Sequence, residues 1–203
     1  MMTRRLLQLY LGLVLYGFSM ALMVEAELGL DPWDVLHQGV ATRTPLSIGV
    51  VTIAVGAAVL LAWIPLRQRP GLGTVSNVIV IGLAMDASIA LLPAPEPLAV
   101  RIAFMLSAVP LNAVATAAYI GARFGPGPRD GLMTGLVRRT GRSVRLVRTS
   151  IELTVLATGW LLGGTAGVGT VVYAVLIGPL VHALLPRLRV PERERVDSVV
   201  GET

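Results

Sequence analysis

At 203 residues the chain suits a single domain, but 54% hydrophobic and 14% charged residues, with a mean hydropathy of +0.74, exclude a water-soluble globule and point to a membrane protein. The net charge of +5 comes entirely from Arg, set between apolar runs without a basic, aromatic-interleaved patch, so no nucleic-acid partner is expected. The absence of Cys rules out disulfides, thiolate metal sites and cysteine nucleophiles.

Arg4 and Arg5 precede an apolar run over 6–24 that is longer than a typical signal-peptide core, so it reads as an uncleaved first transmembrane helix. The polar stretch Leu-Gly-Leu-Asp-Pro-Trp-Asp-Val-Leu-His-Gln-Gly follows from Leu28 to Gly39. Asp31 and Pro32 form a helix-start signal, because Asp caps free backbone N–H groups and Pro tolerates the first helical position. Asp34 then lies in the first turn, where a negative charge suits the helix dipole. A short helix from about Pro32 to Thr42 is expected. It is either an interfacial helix anchored by Trp33 or a half-helix that dips toward the midplane and lines a site with Trp33, Asp34 and His37. As metal ligands, Asp31, Asp34 and His37 are too sparse a set, and no metal is assigned.

Apolar runs at 48–66, 74–92, 98–121, 147–164 and 170–185 bring the expected spans to six. Gly-Leu-Gly-Thr at Gly71 and Gly-Val-Gly-Thr at Gly167 each precede a span. With no preceding strand and no complete phosphate motif, they read as tight turns with Thr as N-cap or, second, as small-residue sites of close helix packing. Asp86 and His182 are intramembrane polar residues at equivalent positions in the third and sixth spans. They are candidates for a substrate or ion pathway, or else residues that snorkel to their own membrane faces. Asn77 and Asn112 are further polar candidates. Arg148 and Glu152, one turn apart, form a self-neutralising ion pair.

A shift of 96 positions superposes the chain on itself. Gly29, Pro32, Asp34, Leu36, Gly39, Arg43 and Thr44 fall on Gly125, Pro128, Asp130, Leu132, Gly135, Arg139 and Thr140, and Gly71, Gly73, Thr74, Val75, Ile81 and Gly82 fall on their counterparts from Gly167 to Gly178. Matched Gly, Pro, Asp and Thr at one offset indicate duplication. Gly127, Pro128 and Asp130 therefore start a second short helix. The expectation is an all-α membrane protein of six transmembrane helices, arranged as two inverted-topology three-helix repeats, 1–96 and 97–190, each with a short polar helix after its first span. A polar tail, 191–203, is expected to be disordered and cytoplasmic. With both termini inside, fifteen of the seventeen Arg lie on the cytoplasmic side of a plasma membrane.

The Pro-Trp-Asp-Val-Leu-His core at Pro32, Trp33, Asp34 and His37, with Gly39 and the later Gly-Leu-Gly-Thr, resembles the YczE group of the bacterial YczE/YyaS/YitT integral membrane proteins. The resemblance spans roughly residues 5 to 187. It implies a polytopic bacterial plasma-membrane protein of undefined biochemical activity. The second copy departs from the pattern, with Arg129 and Met133 in place of Trp33 and His37.

No Ser-His-Asp set, paired-carboxylate site or His-Glu-x-x-His helix appears, so neither an enzyme nor a cofactor is expected. The leading functional expectation is a small solute transporter or transporter subunit with its site between the repeats. Its partners would be membrane lipid, a small-molecule or ion substrate, and a second copy or another membrane subunit. The alternative is a non-transporting regulator or assembly partner that docks through the Arg-rich segment 123–148. Because there is no native Cys, the inverted arrangement has a direct test. A Cys at Ala41 is predicted to react with an impermeant thiol reagent from outside and one at Thr134 only from inside; labelling of both from one side rejects the inversion.

Overall fold

The computed structural model describes residues 2–190, so the expected tail at 191–203 lies outside the described residues. The described residues form eight α-helices and no strand: α1 (Met2–Ala26), α2 (Pro32–Ala41), α3 (Ile48–Trp63), α4 (Leu72–Leu91), α5 (Leu98–Gly121), α6 (Pro128–Thr140), α7 (Val144–Leu161) and α8 (Val168–Leu188). The helices α1, α4, α5 and α8 are long and apolar enough to cross a membrane. α3 is apolar but has only 16 residues, and α7 carries Arg145, Arg148 and Glu152.

Each helix in 2–91 begins 96 positions before a helix in the second half. The backbone between them repeats as well. Glu27 (φ 49°) and Gly29 (φ 112°) after α1 match Arg123 (φ 58°) and Gly125 (φ 122°) after α5. These left-handed positions turn the chain sharply out of each long helix. The Gly-x-Gly-Thr segments do not use Thr as N-cap, as the sequence suggested. Gly71 and Gly167 are the N-caps, because the chain of the other half passes too close there for a side chain, and Thr74 and Thr170 sit at the third helical position. Each Thr hydroxyl accepts from the N–H of its Gly cap at 3.1 Å.

The halves are stitched together reciprocally. Gly73 N–H donates to Phe124 C=O (2.9 Å), and its counterpart Gly169 N–H donates to Leu28 C=O (2.7 Å). Arg5 donates to the carbonyls of Ala122 and Arg123, and Arg101 to those of Ala26 and Glu27. These bonds satisfy helix-end carbonyls that have no partner within their own helix.

The central pair is α1 on α5, with α4 against α1 and α8 against α5. Gly12 and Gly17 let α1 approach the backbones of α5 and α4, as small residues do between membrane helices. α3 packs on α4 and α6, α7 packs on α2 and α6, and α2 sits between α3 and α7. The short helices meet their neighbours differently: the α2 backbone at Val35 and Leu36 lies directly on Gly159 of α7, whereas Gly131 of α6 lies under the Trp63 ring of α3. Residues 35 and 131, and 63 and 159, are equivalent pairs, so a backbone contact in one place becomes a ring over glycine in the other.

The wall of helices is continuous except between α7 and α8, which barely touch. In the first half Gly49 and Gly82 bring α3 and α4 into backbone contact; a Cβ on either would collide with the other's carbonyl oxygen. Asp86 of α4 then caps α3, accepting from the Ser47 hydroxyl and from Gly49 N–H (2.8 Å). In the second half the equivalents are Arg145, Gly178 and His182. Arg145 has the bulk and charge that Gly49 lacks, and a Cβ on Gly178 would meet nothing within 4 Å. Equivalent substitutions should therefore behave differently. Gly82→Val is predicted to cost about 1–3 kcal/mol through overpacking, while Gly178→Val should be near neutral. Thermal unfolding of both variants in lipid nanodiscs checks this, and equal losses would contradict the open α7–α8 contact.

Candidate functional site

The short helices α2 and α6 come from different halves, and their first turns meet at a cavity of about 400 Å³ lined by residues from all eight helices. At the start of α2, the Asp31 carboxylate accepts from Trp33 N–H (2.8 Å) and Asp34 N–H (3.2 Å). This is the capping that the Asp-Pro pair predicts, and it occupies Oδ1 at a helix end whose N–H groups would otherwise be free. One turn on, His37 Nδ1 lies 2.9 Å from Asp34 Oδ1 and 3.1 Å from Thr52 Oγ1. The Thr52 hydroxyl donates its proton to Ile48 C=O (2.8 Å), so Nδ1 carries the imidazole proton and donates to Asp34 and Thr52. Asp31, Asp34 and His37 are buried, with 3%, 1% and 2% exposure.

α6 supplies the facing charge. Gly127 is its N-cap and Pro128 its first residue. The Trp63 indole N–H donates to Pro128 C=O (3.0 Å), and its ring fills the space over Gly131, which fixes α6 against α3. Arg129 thereby faces the α2 start. Its guanidinium lies 4.9 Å from the Trp33 ring centroid, 3.5 Å from Asp31 and 3.7 Å from Asp34. Stacking on the indole face favours the cation. The ion-pair distances exceed those of close charged hydrogen bonds, so one Arg is shared between two carboxylates.

Asp130 differs from its equivalent Asp34. Met133 stands where His37 would be; the Tyr119 hydroxyl lies at 3.4 Å, and the Gly127 backbone and the charges of Arg148 and Arg129 also act on this carboxylate. Asp130 lines the cavity and is exposed to it. Deeper in the wall, Tyr173 O–H donates to Asn112 (2.9 Å), whose amide donates to Ser19 (2.9 Å), while Tyr16 meets Tyr119 edge-on at 6.2 Å.

The residues singled out from sequence divide accordingly. Trp33, His37, Asn77, His182 and the helix-start residues Asp31, Pro32, Gly127, Pro128 and Asp130 all line the cavity. Asp34 lies behind this lining, bonded to His37. Arg148 donates to Glu152 at 2.9 Å, and this pair also lines the cavity. Asp86 and His182 are not brought together: Asp86 caps α3 and is not among the cavity-lining residues, whereas His182 is. Sequence reading missed Arg129, Thr52 and the three tyrosines. In the sequence Arg129 reads as a topology charge and as the replacement for Trp33, not as a site residue. Its position, equivalent to Trp33 and adjacent to Asp130 in the duplicated motif, was the available signal.

Residues 3–186 match the family of unknown function DUF6198. The chain belongs to this family. It is 41% identical over 177 residues to an uncharacterized protein of Haemophilus influenzae, covering 87% of this chain and 81% of that one. It is 32% identical over 180 residues to the uncharacterized membrane protein YczE of Bacillus subtilis (88% and 84% covered), and 23% identical over 181 residues to YyaS of the same organism (87% and 90% covered). No solved structure matches the chain. The YczE-like resemblance read from the Pro-Trp-Asp-Val-Leu-His core is thus that of the whole membrane chain.

Removing the shared cation leaves two buried carboxylates without a counter-charge. Arg129→Gln is predicted to cost about 2 kcal/mol, below the usual range for a fully buried pair because the guanidinium is 30% exposed. Adding Asp34→Asn should recover part of that loss. Denaturation of the two variants in detergent checks this, and additive losses would show that Arg129 does not neutralise Asp34.

Proposed function

We propose that this chain is a small solute transporter, or the membrane subunit of one, working from the cavity between two inverted-topology repeats, 1–96 and 97–190. The observation that carries the reading is the cavity itself. Charged groups from the two short helices, Asp31 from one half and Arg129 and Asp130 from the other, face it together. Half-helices that start at a site between repeated halves are a recurring transporter device. On this reading α3 and α7 complete six crossings, and both termini are cytoplasmic by the Arg distribution. The starts of α2 and α6 then lie within the membrane rather than at its surfaces.

The two ends of the cavity differ. The first-half end is shut by the Gly49–Gly82 contact and the Asp86 cap on α3, and in the proposed orientation this is the outer end. The inner end stands open between the start of α7 and the end of α8. Alternating access would close α7 on α8 and loosen α3 from α4. The Ser47–Asp86 hydrogen bond is the outer latch, and Ser143 and His182 are its inner counterparts.

A second reading rests on the exposed arginines at the turn from α6 to α7: Arg138, Arg139, Arg142 and Arg145. They suit anionic lipid or an acidic partner of a non-transporting regulator.

The transporter reading is tested by reconstitution. A solute that stabilises the purified protein in a thermal-shift panel should be taken up by proteoliposomes carrying the wild type. Uptake should fall about tenfold or more with Arg129→Gln. Stabilising solutes that are never taken up would overturn the reading and favour the regulator.

A further inference from the structure

We propose that the cavity takes an amphiphilic organic cation, with an alkylammonium-type head on Asp130 and an apolar portion extending into the bilayer between α7 and α8. The assignment deepens the transporter reading and rests on it for the placing of α7 and α8 in the membrane.

Charge points to a cation. Asp31, Asp34, Asp130 and Glu152 at and behind the cavity wall face only two guanidiniums. Both make their close ion pairs elsewhere, Arg129 with Asp31 and Asp34 and Arg148 with Glu152, and reach Asp130 only at longer range. Among the described residues no ion pair reaches Asp130. Its counterpart Asp34 has a histidine donor at 2.9 Å, while Asp130 has the Tyr119 hydroxyl at 3.4 Å, the Gly127 backbone and the more distant charges of Arg148 and Arg129. A carboxylate in a low-dielectric cavity without a close counter-ion is costly, and a ligand ammonium supplies one. The Tyr16 and Tyr119 rings beside it are suitable walls for such a head.

Shape points to an apolar tail. Among the described residues α7 and α8 make almost no contact, and both line the cavity, Ile151 from one and Ile177, Val181 and Leu185 from the other. Gly178 also lines it, with free space beside it. A gap between two membrane helices faces lipid, so a ligand using it carries apolar surface, and a small, fully hydrated ion gains nothing from this route.

The test uses the full chain in nanodiscs of zwitterionic lipid, with no gradient. The probes are dodecyltrimethylammonium below its micelle concentration, dodecyl sulfate and tetramethylammonium. Tryptophan fluorescence is the readout, corrected for partition into empty discs. Saturable binding of the long-chain cation is expected, with the anion and the short cation weaker by about tenfold or more. Asp130→Asn should weaken the long-chain cation by a similar factor. Gly178→Trp, which fills the passage without a clash at Cβ, should do the same and keeps the proposal testable if Asp130→Asn misfolds. Equal binding of dodecyl sulfate, equal binding of tetramethylammonium, or wild-type affinity in either folded variant overturns the assignment. Binding without any uptake in proteoliposomes would support this site while contradicting transport. Uptake of another solute without alkylammonium binding would overturn this site alone.

Discussion

The structure depends on a pair of reciprocal backbone bonds. Gly73 N–H to Phe124 C=O and Gly169 N–H to Leu28 C=O each join the start of a half's last helix to the loop after the other half's first helix. In a membrane a backbone group without a partner is expensive, and irregular chain is tolerated only where protein covers it. The loops that carry the polar motifs are irregular chain packed against the opposite half. Arg5 and Arg101 cover the carbonyls just before them, and the glycine caps at Gly71 and Gly167 make room for them. With the loops fixed in this way, each short helix starts in the interior, next to the opposite half.

Within that frame the two halves differ at a few equivalent positions that line or flank the cavity. The equivalent pair Trp33 and Arg129 became an aromatic face and the cation stacked on it. The pair Asp31 and Gly127 left one short helix with a side-chain cap and the other without one. The pair His37 and Met133 left Asp34 with a histidine donor and Asp130 without one. Gly49 and Arg145 made one helix pair close and the other open. The two halves share a scaffold, and they differ in side-chain chemistry at a few equivalent positions.

Much of the scaffold was legible in the sequence because its signals are local. Asp31-Pro32 announces a helix start, and the observed α2, Pro32–Ala41, is within a residue of the expected span. The 96-residue offset, read from Gly, Pro, Asp and Thr, reappears in the helix starts and in the left-handed turns. The thickness of each crossing was less legible. α3 and α7 begin where expected or a few residues earlier, but α3 is short and α7 is charged. Asp86 illustrates the limit on sites: an intramembrane Asp reads as functional, yet its partners, Ser47 and Gly49, come from a helix crossing that no local pattern encodes. Arg129 was hidden for the opposite reason, since in an Arg-rich stretch it looks like one more topology charge.

The central claim is that two halves of one design hold different conformations, closed between α3 and α4 and open between α7 and α8. Spin labels on a chain free of native Cys test it directly. One pair is placed at Val50 and Leu83, and a second at the equivalent Leu146 and Pro179, in nanodiscs. The account predicts a clearly longer distance for the second pair. Equal distances in the two pairs would contradict it.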